Sequence, residues 1–163
     1  MVFETERLKF RYLEKSDSEA MFYIYSDKEA MKFRANKPFS TISEAEEMIH
    51  QTITDYELGF KFRFAIVKKE TNELIGTILY FVDDLKSDVC SIGYSLGKNY
   101  WKQGFAIETL NGFIEYLRSQ KINKLEAKVF KMNIDSIKLL NKLDFILNEN
   151  TNDEKLFTFE KSI

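Results

Sequence analysis

Cysteine, histidine and proline occur once each in this chain, and each scarcity removes a class of explanation. A single thiol, Cys90, cannot close an intrachain disulfide, which fits a reducing compartment. His50, the one imidazole, cannot make a metal site alone, so no metal is expected. No apolar run approaches the roughly 20 residues of a membrane span. The stretch Met1-Val2-Phe3-Glu4-Thr5 lacks the basic and then apolar pattern of a secretion signal, so a cytoplasmic location away from membranes is expected. Charge of one sign is also missing. With 24 basic and 26 acidic residues the net charge is −2, and no global field draws nucleic acid or an anionic surface. Repeats, linkers and low-complexity tracts are absent as well.

What is present is one domain's worth of chain, 1–163, long enough to bury a sizeable core. Aromatic residues make up 15%, which points to a well-filled core, an interface, or both. Arg7 to Leu13 alternates as a strand does. Ser16-Asp17-Ser18-Glu19 then offers a capping box ahead of the helical positions Ala20, Met21, Ile24 and Tyr25. Thr41-Ile42-Ser43-Glu44 is a second capping signal, and the helix it opens runs to Gly59. Phe60–Val67 and Leu74–Val82 are β-branched and aromatic, and the polar turn between them predicts a hairpin. Val89–Leu96 extends this meander across the polar loop from Asp83 to Asp88. Ala106, Leu110, Phe113 and Leu117 then form a helical stripe. Leu125–Phe130 should return parallel to Val89–Leu96 through a right-handed crossover. A helix opened by Asn133 and terminal strands near Phe145–Asn148 and Leu156–Phe159 complete an α/β (α+β) layer structure with a mixed, mainly antiparallel sheet of six to seven strands.

The stretch Tyr100-Trp101-Lys102-Gln103-Gly104-Phe105-Ala106 leaves a strand and opens a helix. Such a turn presents unpaired backbone N–H groups at the positive end of a helix dipole, which suits a pyrophosphate. Gly104 and Ala106 keep the approach clear, and Lys102 and Gln103 add a charge and a hydrogen bond at the rim. The plain alternative is an ordinary loop before a helix. Asn133-x-x-Ser136 places two polar side chains at a later helix start, where capping alone would also explain them.

In this order the motifs resemble the GCN5-related N-acetyltransferases, in particular the branch that acetylates the N-terminal amines of ribosomal proteins. Thr5-Glu6-Arg7-Leu8 with Arg11, Pro38-Phe39 and Ile75-Gly76-Thr77 add to the likeness, which covers nearly the whole chain. The resemblance implies that the strands Val89–Leu96 and Leu125–Phe130 splay apart, with Gly93 permitting a bulge that opens the gap. Acetyl-CoA would then lie with its arm against the backbone of Tyr94, Ser95 and Leu96 and Asn133, and its pyrophosphate at Lys102, Gln103, Gly104, Phe105, Ala106 and Ile107. The implied reaction is direct attack of an amine on the thioester, with Ser136 donating to the departing thiolate and a backbone N–H near Tyr94 or Ser95 polarising the carbonyl. For the proton on the amine, Glu126, Asp83, Asp84, Tyr94 and a chain of water molecules stand as candidates. Two positions depart from the family pattern. Leu140 stands where many members carry an acid tyrosine, and Asp144 stands where a glycine usually precedes the terminal Phe. The implied acceptor is a protein N-terminus or a small amine such as a polyamine or antibiotic, and related enzymes commonly form homodimers. Arg34 and Lys37, in the segment that forms part of the acceptor wall in the family, are either acceptor contacts or solvated charges. A non-catalytic acyl-CoA-binding module and a self-association protein with an aromatic surface are the rival readings.

Overall fold

The computed structural model describes residues 1–81, 89–151 and 153–163, so the candidates Asp83 and Asp84, and the loop that carries them, lie outside the described residues. Eight strands form one sheet in the order β1-β2-β3-β4-β5-β6-β8-β7. They are β1 (Phe3–Glu4), β2 (Leu8–Tyr12), β3 (Lys61–Lys68), β4 (Leu74–Phe81), β5 (Val89–Leu96), β6 (Lys124–Phe130), β7 (Ile146–Leu147) and β8 (Leu156–Ser162). The helices are α1 (Ser18–Ser26), α2 (Ile42–Leu58), α3 (Phe105–Ser119) and α4 (Ile134–Lys142). Seven of the strands fall on stretches expected to be strands. The eighth, β1, is two residues long and too short for a periodic signal, yet Phe3 stacks on Phe10 at 4.1 Å and on Tyr116 at 4.8 Å.

Each face of the sheet has its own core. On one, Met21, Ile24 and Tyr25 of α1 and Ala45 and Ile49 of α2 bury against Ala65 and Val67 of β3. On the other, Leu110, Phe113 and Leu117 of α3 bury against Phe10, Phe64 and Ile78. Phe113 is 0% exposed, and burying a side chain of that size stabilises by about 1.5–3 kcal/mol. Much of the high aromatic content lies here, in the rings of Phe3, Phe10, Phe64, Tyr80, Phe113 and Tyr116.

The caps follow local chemistry with one correction. Thr41 and Glu44 form the expected capping box, and Gly59 ends α2 in the left-handed region at φ 76°. At α1, Ser16 does not cap. A 3-10 turn, Lys15–Asp17, precedes the helix, and the Asp17 carboxylate instead takes the Glu14 N–H and both Nη atoms of Arg11 at 2.7 and 2.8 Å. Asp144 does adopt the left-handed conformation, φ 59°, beyond α4.

Candidate active site

The sheet forks at β5 and β6. These strands pair in parallel only at Val89 with Lys124, Cys90 with Leu125 and Ser91 with Glu126. Beyond that point β5 stays paired with β4 as far as Leu96, and β6 stays paired with β8 as far as Phe130. Each strand is held on its outer edge, so the inner edges part. Gly93 does not form the expected bulge, because β4 and β5 keep an unbroken register through Gly93 opposite Leu79. The gap arises from loss of pairing with β6. It opens as a cleft of about 470 Å³ between Gly93–Leu96, Ala127–Phe130, the start of α4, the turn before α3 and part of the connection between α1 and α2.

Along a strand successive peptide groups point to opposite edges. The Tyr94 carbonyl faces the gap, where an Arg34 Nη2 donates to it, and alternation turns the Ser95 peptide toward β4. The Leu96 carbonyl accepts from Trp101 Nε1 at 2.9 Å, so Trp101 fixes the turn to the strand end. Ser95 faces α1 instead, where its side chain acts to lower the Tyr25 phenol.

The turn itself is shaped by backbone constraint. Lys102 and Gly104 both have positive φ, 58° and 82°, and Gly104 stands at the N-terminus of α3 with no side chain capping it. The first-turn N–H groups of α3 therefore keep their donors for a ligand. Lys102, Gly104, Ala106 and Ile107 line the cleft. Gln103 and Phe105 are not among its lining residues: Gln103 Nε2 donates to the Asn99 carbonyl at 2.7 Å, and the buried Phe105 ring lies 4.4 Å under the Arg7 guanidinium. Arg7 is a cation that motif spacing did not single out here. It donates to the Gln103 carbonyl and pairs with Glu108 at 2.6 Å, bracing the cradle from outside.

At the other end of the cleft the chain brings together two residues 42 positions apart. The Tyr94 hydroxyl lies 3.1 Å from Ser136 Oγ. Asn133 holds the Ser136 N–H at 3.2 Å and caps α4, and both line the cleft. Burial pushes the Tyr94 phenol above its ordinary value, against smaller opposing effects of Ser136 and Arg34, so the hydroxyl keeps its proton. Leu140, in the position of the family's acid tyrosine, is 3% exposed and belongs to the core. Glu126 stands at the vertex of the fork, on the face of Ser91, whose hydroxyl is 3.5 Å from its carboxylate. It pairs with Lys128 at 3.3 Å and is not among the cleft-lining residues.

The remaining singled-out residues have plain roles. Cys90 is buried, which pushes its thiol up to about 12, and His50 is exposed on α2. Of the acceptor-wall pair, Arg34 lines the cleft and Lys37 is an exposed loop residue. Among the described residues no cluster of His, Cys, Asp and Glu is placed to hold a metal, and no helix is long and apolar enough to cross a membrane.

The family model described as an acetyltransferase (GNAT) domain matches residues 7–146. An uncharacterized N-acetyltransferase, p20, of Bacillus licheniformis is 43% identical over 143 residues, covering 86% of this chain and 80% of that protein. Among solved structures, RimL, a ribosomal L7/L12 α-N-protein acetyltransferase in complex with coenzyme A, superposes with a TM-score of 0.83 at 18% identity, over 98% of this chain and 96% of the other. Spermidine N-acetyltransferase of Vibrio cholerae, in complex with CoA and spermine, superposes with a TM-score of 0.82 at 16% identity, over 96% and 95% of the two chains. These structural likenesses show the fold.

Proposed function

Because the chain belongs to the GNAT acetyltransferase family and is an N-acetyltransferase, we propose that it transfers an acetyl group from acetyl-CoA directly to a primary amine, with the transfer seated in the β5/β6 fork. The observation that carries this reading is the Tyr94–Ser136 hydroxyl pair across the cleft, beside the helix start capped by Asn133. The fork fits the donor. Its cleft runs from this pair to the turn at Gly104, where any side chain would have to adopt a left-handed conformation and its Cβ would come within 3.2 Å of Arg7 Nη2.

Acetyl-CoA supplies the activated thioester, and the protein's part is to position it, stabilise the thiolate and receive a proton. Lys102 and the first-turn N–H groups of α3 hold the pyrophosphate, and the inner edge of β5 and Asn133 hold the arm. Tyr94, kept neutral by burial, donates with Ser136 toward the leaving sulfur. This arrangement replaces the acid that Leu140 cannot supply. Glu126, at the vertex on the face shared by α1 and α2, receives the amine proton through water. The acceptor enters from that face, with Arg34 on its wall. A protein N-terminus is favoured, a small amine being the second choice, since the similar folds include enzymes named for both.

The test is thiol release from acetyl-CoA in the presence of a panel of peptide and small amines, with acetylated product identified by mass. Amine-dependent release is expected. Acetyl-CoA binding without release for any amine would instead support a non-catalytic acyl-CoA-binding module.

A further inference from the structure

The chain has five arginines, and three of them are matched by carboxylates. Arg7 pairs with Glu108, Arg11 with Asp17, and Arg118 with Glu115. Arg34 and Arg63 have no carboxylate partner among the described residues, and they converge on one phenol. Arg63, on β3, donates from Nη1 to the Tyr25 hydroxyl at 2.9 Å and to Thr77 Oγ1 at 3.2 Å. The Tyr25 hydroxyl, on α1, lies 2.7 Å from Thr77 Oγ1. Arg34, from the connection between α1 and α2, acts electrostatically on the same phenol and on Arg63 while it donates to the Tyr94 carbonyl.

A guanidinium carries five N–H donors, and the protein engages one nitrogen of each of these two. Holding two like charges together in a partly dehydrated place, with no carboxylate among the described residues to pair them, is unfavourable unless something else supplies the anion. The phenol responds in the same sense. Burial is the largest single influence on Tyr25 and pushes it up, but Arg63, Arg34 and the hydroxyls of Thr77 and Ser95 together bring it below its ordinary value. Tyr25 is 3% exposed and its hydroxyl is already bonded, so it is a support for the cations and not a substitute for the missing charge.

We propose that Arg34 and Arg63 form an anion subsite for the acceptor, so that the amine to be acetylated carries a carboxylate or phosphate close to its nitrogen. This rests on the acetyltransferase reading. The pyrophosphate of the donor does not serve as that anion, because its cradle lies past the end of β5, beyond the Trp101 anchor, whereas Arg34 is held at the Tyr94 carbonyl and Arg63 at the Tyr25 hydroxyl of α1. A polyamine is disfavoured by the same two charges, which act as a repulsive element against a polycation.

The test compares matched short peptides, amidated at the C-terminus, with glutamate, glutamine or lysine as second residue, alongside free glutamate and spermidine. Acidic acceptors should exceed the glutamine peptide by about tenfold or more in kcat/KM, as loss of a charge-assisted hydrogen bond implies, with spermidine poorest. Comparison of the acidic peptide with free glutamate distinguishes a side-chain carboxylate from an α-carboxylate as the bound group. Arg63→Gln should erase the acidic preference while the KM for acetyl-CoA stays within about twofold, and Arg34→Lys should keep more of the preference than Arg34→Gln does. Equal rates for the three peptides with no lead for free glutamate, or a lead for spermidine, would overturn the subsite while leaving acetyl transfer standing. A rise in the acetyl-CoA KM in Arg63→Gln, with the acidic preference intact, would also overturn it. Failure of every acceptor to release thiol would remove the transferase reading and the subsite with it.

Discussion

Replacing Tyr94 with Phe removes one oxygen atom from the fork and leaves the ring that packs against the core. That oxygen lies 3.1 Å from Ser136 Oγ, and burial keeps it protonated well into the alkaline range. A hydrogen bond to a charged or charging partner contributes about 1.5–3 kcal/mol, against about 1 kcal/mol for a neutral pair. Applied to a thiolate that develops only in the transition state, this predicts a loss of about ten- to a hundredfold in kcat. Acetyl-CoA affinity should change far less, because the ground-state thioester carries no such charge. The stability cost is that of a neutral bond, about 1 kcal/mol, or roughly 2–4 °C in Tm for a domain of this size. The assay is amine-dependent thiol release at saturating substrates, paired with calorimetric titration of acetyl-CoA. Ser136→Ala should also slow turnover more than it weakens binding, and the double variant should lose less than the two single losses combined, since the hydroxyls act as one donor pair. A Tyr94→Phe enzyme with unchanged kcat, or one whose loss lies wholly in acetyl-CoA affinity, would refute this assignment.

Two further outcomes concern the frame that carries the site. Burial alone would raise the Glu108 carboxyl, but hydrogen bonds from Thr5, from the Arg7 backbone and from the Arg7 side chain, with that side chain's charge, hold it below its usual range. Its contribution is therefore present above the unfolded carboxylate range and is lost as pH falls through the depressed folded value. Glu108→Gln should flatten the acid limb of thermal stability measured from neutral pH downward, by less than about 1 kcal/mol because Arg7 is exposed. At Gly112 a Cβ would collide with Thr5 Cγ2 where α3 crosses the N-terminal strand. Gly112→Ala should cost about 1–3 kcal/mol in denaturant unfolding, and adding Thr5→Ser, which removes that methyl and keeps the hydroxyl on Glu108, should recover most of it.

How far the chain was legible depended on the range of each signal. The strand, turn and helix around Gly104 were readable because the constraint is local: a positive φ, a helix start and an anchoring Trp within a few residues. The parallel return of β6 follows from the helix that connects it to β5. Gly93 misled because a strand glycine marks close approach or a bulge equally well, and the fork was instead produced by where β5 and β6 stop pairing. Spacing puts Gln103 at the rim, but its amide donates to a carbonyl in its own loop. The Tyr94–Ser136 contact joins a strand and a helix through register, so each residue was visible as a candidate and their meeting was not. Arg34, Arg63 and Tyr25 come from a loop, a strand and a helix, and only the fold shows that two of the five arginines lack a carboxylate partner among the described residues.

The central claim is that the fork and the turn at Gly104 bind acetyl-CoA. Calorimetric titration of acetyl-CoA into the wild-type protein and into Gly104→Glu, with ATP as comparator, tests it most directly. The expected result is saturable binding that prefers acetyl-CoA over ATP and is lost in Gly104→Glu, with far-UV spectra of the two proteins alike. No binding at millimolar ligand, or equal affinity in Gly104→Glu, would contradict it.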